Sequence, residues 1–356
     1  MKKTLLATAI AGAMAASGAQ AATVYNQDGT KLDIYGNIQI AYYNTDDENG
    51  DSRDEIADNG TTFGFAAEHV IYDGLTGYLK LELDDIKADE MKTATDAADS
   101  GDTAYVGLRG NFGDVRLGSY DSLMDDWIQD PITNNEGFDV SDTTVSGVEE
   151  TDKITYTSPV FSGFQFALGT QYKGDAESEN VTDSGDASFF GGVKYAAGAF
   201  SIAAVYDNLD TFESANDGGT GKYIIDQDPD SPTVGTVVQD DAPEEAGEFG
   251  DRYGVTAQYT IDSLRLAAKY ETFDSDEADD DVDFMALGAR YGYGMGDVYG
   301  AYQNVDSEAS DDDRDEVIIG ATYTISDAMY TWAEANWEDR DNDEGDGFGV
   351  GITYLF

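Results

Sequence analysis

Cysteine is absent from this 356-residue sequence, histidine occurs once, proline five times, and 19 lysines and arginines face 73 aspartates and glutamates. Without cysteine there is no disulfide framework and no thiolate metal site, and a chain of this length can bury enough surface to do without either. The lone His69 leaves no second imidazole for a histidine-built catalytic or metal site, and it reads as a structural or surface residue. After Ala21 no window approaches 18 uninterrupted apolar residues, which excludes transmembrane helices. The shortage of base disfavours nucleic acid as a partner, because a surface with net charge -54 repels polyanions and concentrates cations.

What is present begins with MKKTLLATAIAGAMAASGAQA. Lys2 and Lys3 precede an apolar run from about Leu5 to Ala16, and Ala19-Gln20-Ala21 closes it. This order of charge, apolar run and small residues predicts a secretory signal over 1–21, cleaved after Ala21. Residues 22–356 then form one domain with 17 basic and 73 acidic residues, a charge of 17 - 73 = -56. Such acidity with few aromatics would predict disorder, but aromatics make up 12% of the chain and 23 of them are tyrosines.

Apolar residues recur with period two. KLDIYGNIQIAYY places Leu32, Ile34, Ile38, Ile40 and Tyr42 on one face, and LTGYLKLELD places Leu75, Leu79, Leu81 and Leu83 opposite Tyr78, Lys80, Glu82 and Asp84. Sixteen such segments are expected, from 31–43, 61–72 and 75–85 through to 328–338 and 347–356. They are joined alternately by tight turns and by long acidic loops, among them 44–60, 86–101, 121–150 and 210–249. A soluble sandwich or propeller is the competing arrangement, but no blade-length repeat supports it. Strands of about 9–11 residues, an even strand number, alternating loop lengths and aromatics at strand ends (Tyr42, Tyr43, Tyr72, Tyr172, Phe273, Trp337) predict a closed transmembrane barrel. The final GDGFGVGITYLF belongs to this pattern. Phe348, Val350, Ile352, Tyr354 and Phe356 should face lipid, Gly349, Gly351 and Thr353 the lumen, and the far edge should pair with the strand beginning near Lys31.

ATVYNQDGTKLDIYGNIQIAYY, GLTGYLKLEL, AYVGLRGNFGDVRLGSYDSL, ITYTSPVFSGFQFALGTQY and the terminal ITYLF together resemble the general porins of Gram-negative outer membranes, over essentially all of residues 22–356. The resemblance implies an all-β, 16-stranded antiparallel barrel in the outer membrane, in contact with lipid and lipopolysaccharide and assembled as a homotrimer. It implies passive diffusion of ions and small polar solutes, with no cofactor, and a terminal Phe356 read by the assembly machinery. It also implies that the third long loop folds into the lumen, which here carries Asp121, Asp125, Asp126, Asp130, Glu136, Asp139 and Asp142. Where such porins set a basic ladder against this loop, the matching positions are Asn37, Thr62, Asp102, Ser119 and Glu149, none of them basic. Arg109, Arg116 and Lys153 are the nearest basic residues if the register shifts.

A lumen lined by acids favours cations, as rings of Asp and Glu do in cation channels, so cation preference is expected. Carboxylate-rich loops such as DQDPDSPTVGTVVQDDAPEEAGEFGD suit a saline habitat. DQDPDS at 226–231 and DRDNDEG at 339–345 begin like calcium loops but lack the glycine and the closing glutamate, so no metal site is predicted. An outer-membrane enzyme would need a nucleophile and a base that the sequence does not assemble, and an adhesive barrel can coexist with a channel. Trp127, inside the third loop, is expected to pin the loop to the wall, with sugar stacking as the alternative.

Overall fold

A computed structural model describes residues 21–47, 49–83, 86–89, 92–93, 103–133, 135–143, 152–172, 187–208, 223–225, 237–239, 250–275, 281–308 and 313–356. Residues 1–20 of the signal expected over 1–21, and Asp102, Glu149 and the calcium-like stretch 226–231, lie outside the described residues.

The first barrel strand, β1 (Thr30–Asp46), is followed by β2, which is broken into Ser52–Asp58 and Phe63–Tyr72. Next come β3 (Leu75–Leu83), β4 (Thr103–Gly110), β5 (Gly113–Ser119), β6 (Lys153–Thr157), β7 (Phe164–Gln171), β8 (Ser188–Ala197) and β9 (Phe200–Asn208). The rest are β10 (Gly250–Ile261), β11 (Leu264–Ser275), β12 (Val282–Gly292), β13 (Asp297–Ser307), β14 (Arg314–Ser326), β15 (Met329–Glu338) and β16 (Gly347–Leu355). Each pairs antiparallel with the one before it, and β16 pairs with β1 from Asn37↔Leu355 to Thr45↔Gly347, closing a 16-stranded barrel. Closure leaves no unpaired edge, the condition for a sheet in lipid.

The seam is longer than the sequence pattern indicates. Ala22–Gln27 forms a further strand against residues 30–34 of β1, on the edge that β16 leaves open, so the sixteenth stave has two pieces from opposite ends of the sequence. Ser52–Asp58 also lies within the stretch expected to be a loop at 44–60, and pairs with residues 40–46. SRDEIAD carries Arg53, Asp54 and Glu55 and has no apolar face, so alternation could not reveal it. Short hairpins at Ile86–Lys87/Lys92–Thr93 and Tyr223–Ile225/Val237–Gln239 sit in two of the long connections.

The barrel is apolar outside and polar inside. Val106, Leu108, Val115 and Leu117 are exposed on the outer face of β4 and β5, while Arg252, Lys269, Glu271, Arg314, Glu316 and Glu334 are buried within. The final stripe behaves as expected: Phe348, Val350, Ile352 and Tyr354 are exposed at 43–47%, and Gly349, Gly351 and Thr353 are buried.

Candidate functional site

Among the described residues, the loop between β5 and β6 crosses the lumen. It starts with a reciprocal cap: Ser122 donates from N and Oγ to Asp125 Oδ2 at 3.0 and 2.7 Å, and Ser122 Oγ accepts from the N–H groups of Met124 and Asp125. This cap launches a single wide turn, Asp125–Gln129, which runs into α1 (Asp130–Thr133). The apolar residues of the turn face the wall: Leu123, Met124, Trp127 and Ile128 pack against Ala167, Phe190, Ala203 and Val205. Ile132 and Val140 pack against Ala267, Ala286, Ala301 and Ile318.

Two bare positions make this approach possible. A methyl group on Gly192 would stand 2.9 Å from the Trp127 ring, and one on Gly254 would stand 2.7 Å from Ile128. Trp127 is buried at 7% exposure, with Lys194 Nζ 4.4 Å from its ring centroid, so it pins the loop and leaves no free face for a sugar.

On either side of α1 the loop is held by three wall carboxylates. Glu334 on β15 accepts the N–H groups of Glu136, Gly137 and Phe138 at 2.6, 2.7 and 2.8 Å. Glu316 on β14 accepts Ser141 N at 2.8 Å and Ser141 Oγ at 2.6 Å. Glu271 on β11 accepts Gln129 Nε2 at 2.7 Å and the Thr143 hydroxyl. Two of these carboxylates are paired on their own strands, Lys269 with Glu271 at 3.0 Å and Arg314 with Glu316 at 2.8 Å, and Glu334 accepts from the Tyr299 hydroxyl. Burying these charges is tolerable because each is bonded several times over.

The loop acids occupy the enclosed space. Asp121, Asp130 and Asp139 are exposed to it, and Asp125, Asp126 and Glu136 are half-buried. Enclosure within the barrel pushes Asp126 up to about 7, with Asp121 and Asp130 adding repulsion. It likewise raises Asp130 to about 6, helped by Asp125 and Asp121, and Asp139 to about 7, helped by Asp142 and Glu334. Glu136 also rises through enclosure, although Arg290, 3.5 Å away, pulls the other way.

On the opposite wall, Asn37 and Thr62 face each other across β1 and β2 and share a 2.8 Å hydrogen bond. Ser119 instead pairs with Ala104 in the row of Leu117 and Val106, which faces outward. The basic residue that β5 sends inward is Arg116, set between Tyr105 and Tyr120 at 4.7 Å from each ring centroid. The pairing runs without a break from Ala104↔Ser119 to Gly110↔Gly113, so Ser119 keeps the outward parity of Val115 and Leu117. The inner wall therefore carries base at Arg109 and Arg116, both alternatives for a shifted register, and also at Lys80, Lys194, Arg265 and Arg290. Strand parity could have found them, since every one stands opposite an apolar outward neighbour. His69 is exposed and shares a 2.7 Å hydrogen bond with Thr30 Oγ1. Among the described residues no group of three or more His, Cys, Asp or Glu side chains is placed to hold a metal ion.

An apolar skin, a polar interior and a loop drawn across the bore define an outer-membrane diffusion channel. The chain belongs to the Gram-negative porin family, whose model matches residues 6–343. Among curated relatives, a monosaccharide porin of a Halomonas species is 59% identical over 392 aligned positions, covering 100% of both chains. Among solved structures, OmpF of Salmonella typhi superposes with a TM-score of 0.70 at 20% identity, covering 94% of this chain and 100% of its own. An anion-selective porin from Comamonas acidovorans gives 0.66 at 19%, covering 92% and 100%. Both structures share the fold. The chain is thus an outer-membrane porin for passive diffusion, and the enzyme alternative falls away with the family assignment.

Proposed function

We propose that this porin prefers cations and admits small neutral polyols, monosaccharides among them, as one homotrimeric assembly exported by its first 21 residues. The observation that carries the cation preference is the excess of unneutralised acid at the loop. Lys80, Arg109 and Arg290 each have a carboxylate beside them (Glu82 at 3.0 Å, Glu68, and Glu136 at 3.5 Å), which cancels much of their field. Arg116, Lys194 and Arg265 then stand against Asp121, Asp126, Asp130 and Asp139. Neutral Asn37 and Thr62 add no positive charge across the bore. The monosaccharide reading is supported by the relative of that name and by a lumen rich in hydroxyls and charged hydrogen-bonding groups. Contact with lipopolysaccharide and the homotrimer follow the general-porin resemblance.

Reversal potentials in a potassium chloride gradient test the preference. Asp126 and Asp139, raised to about 7, are charged above that value and neutral below it, so the preference is expected to grow from pH 5 to pH 8. It should fade at 1 M salt, where the Debye length is about 3 Å. Anion preference at low salt and pH 8 would refute it. Mass measurement of the detergent-solubilised protein tests the trimer.

A further inference from the structure

Three glycines of the inner wall stand directly opposite a tyrosine. Gly64 on β2 pairs with Tyr35 on β1, Gly107 on β4 with Tyr78 on β3, and Gly320 on β14 with Tyr299 on β13. None of the three has the positive φ that would call for glycine. The atoms that a methyl group at each position would meet first all belong to the tyrosine opposite, at less than 3.0 Å. The bareness of these positions therefore serves the ring. Strand side chains ordinarily stand up from the sheet, but these tyrosines lie down across the neighbouring strand.

What rests on the ring repeats as well. Lys80 Nζ is 5.9 Å from the Tyr35 ring centroid, the Arg109 guanidinium 5.2 Å from that of Tyr78, and the Arg290 guanidinium 4.5 Å from that of Tyr299. Each of these cations also meets a carboxylate, Glu82, Glu68 and Glu136 in turn. Two of the rings reach a third strand, where the Tyr78 hydroxyl donates to Asp114 on β5 and the Tyr299 hydroxyl to Glu334 on β15. Glycine, flat tyrosine and cation thus form one layered unit. The Gly320 unit lines the narrow crevice with Pro131 and Ile132 of the loop. The Gly107 unit stands apart from the loop: Tyr78 and Gly107 are within four residues of the tight turns at 73–74 and 111–112, whereas the loop leaves β5 at its other end, after Ser119.

We infer that Gly64 and Gly107 are size-determining residues of the bore, each a notch that lets an inward tyrosine and the cation upon it lie against the wall. A side chain in the notch drives the ring off until ordinary van der Waals contact, at 3.4 Å or beyond, is reached. The cation rests on the ring face, so ring and cation move toward the axis together. One methyl group then narrows the bore by more than its own volume.

The inference rests on the reading as an open pore and is tested on reconstituted full-length protein. Gly64→Ala and Gly107→Ala are each expected to lower unitary conductance in potassium chloride by about a quarter, since pore diameter and lining govern passage. In proteoliposome swelling each should also slow sucrose relative to arabinose, a ratio that cancels the amount of inserted protein. Adding Tyr35→Ala to Gly64→Ala, or Tyr78→Ala to Gly107→Ala, should return both readouts at least to those of the unmodified protein, because the displaced ring is gone. Unchanged conductance and ratio in a single variant overturn the inference for that glycine, and so does a double variant that stays as low as the single one. Where a single variant does not insert, recovery of insertion in its double variant supports the notch, and continued failure overturns it. If the unmodified protein shows neither conductance nor swelling, the reading as an open pore fails instead, so the two failures are distinguishable.

Discussion

At the scale of single residues the lumen is decided by which charges keep a partner. Asp126 illustrates this: half-buried, next to Asp121 and Asp130, it is held up near 7 and remains partly protonated at neutral pH. Asp126→Asn is therefore expected to lower the potassium-to-chloride permeability ratio by about twofold at pH 8, and to have little effect at pH 5, where the native group is already neutral. Reversal potentials at both values check this, and an equal effect at the two pH values would show that the carboxylate does not titrate in this range. The acids of the loop were legible in the sequence as a cluster, because Asp and Glu in a long connection of a barrel have few other roles. The basic wall was not. Motif position points to Ser119, yet the inward residue is Arg116, the alternative for a shifted register, because a residue's face is set by strand parity, which motif matching does not fix to one residue.

Among the elements, the loop from Tyr120 to Thr143 depends on contacts made far away in the chain. Its first half lies on apolar wall positions kept low by Gly192 and Gly254, and its second half hangs from Glu271, Glu316 and Glu334. Removing Glu334 would leave the amides of Glu136, Gly137 and Phe138 without their acceptor, at about 1–3 kcal/mol for each that stays dry. Glu334→Ala should release the loop from that wall while the barrel still forms, since β15 keeps its backbone pairing with β14 and β16. The expected outcome in planar bilayers is larger unitary conductance with added current noise. Conductance identical to that of the unmodified protein would mean that the remaining two anchors suffice. No local pattern signals this anchorage, because Glu334 reads as one more inward polar residue of an alternating strand.

For the whole molecule, the determining feature is closure. Phe356 exchanges both backbone hydrogen bonds with Gly36 at 3.0 Å, and its ring lies 6.3 Å from that of Phe63, so the last residue ties β16 to both β1 and β2. Deleting Phe356 is expected to slow insertion and to reduce the fraction of protein that resists unfolding in detergent, read as the heat-dependent shift in gel mobility. Undiminished yield of folded barrel would show that the backbone pairs from Asn37 to Thr45 close the seam alone. The same closure explains how a chain of such acidity enters a membrane: alternation sends the charge inward or into loops, and the outer skin stays apolar.

The amino-acid sequence by itself determined the strand period, the number of staves, the lipid-facing stripe from Phe348 to Tyr354 and the family, because a strand's two faces are set by local alternation and need no distant partner. Only the tertiary structure decided which loop acids meet which wall cations, that Trp127 is a pin, and that residues from opposite ends of the chain share one stave. Those arrangements arise when residues 100 or more positions apart are brought within hydrogen-bonding distance, as Gln129 is to Glu271, and no local pattern encodes such a meeting.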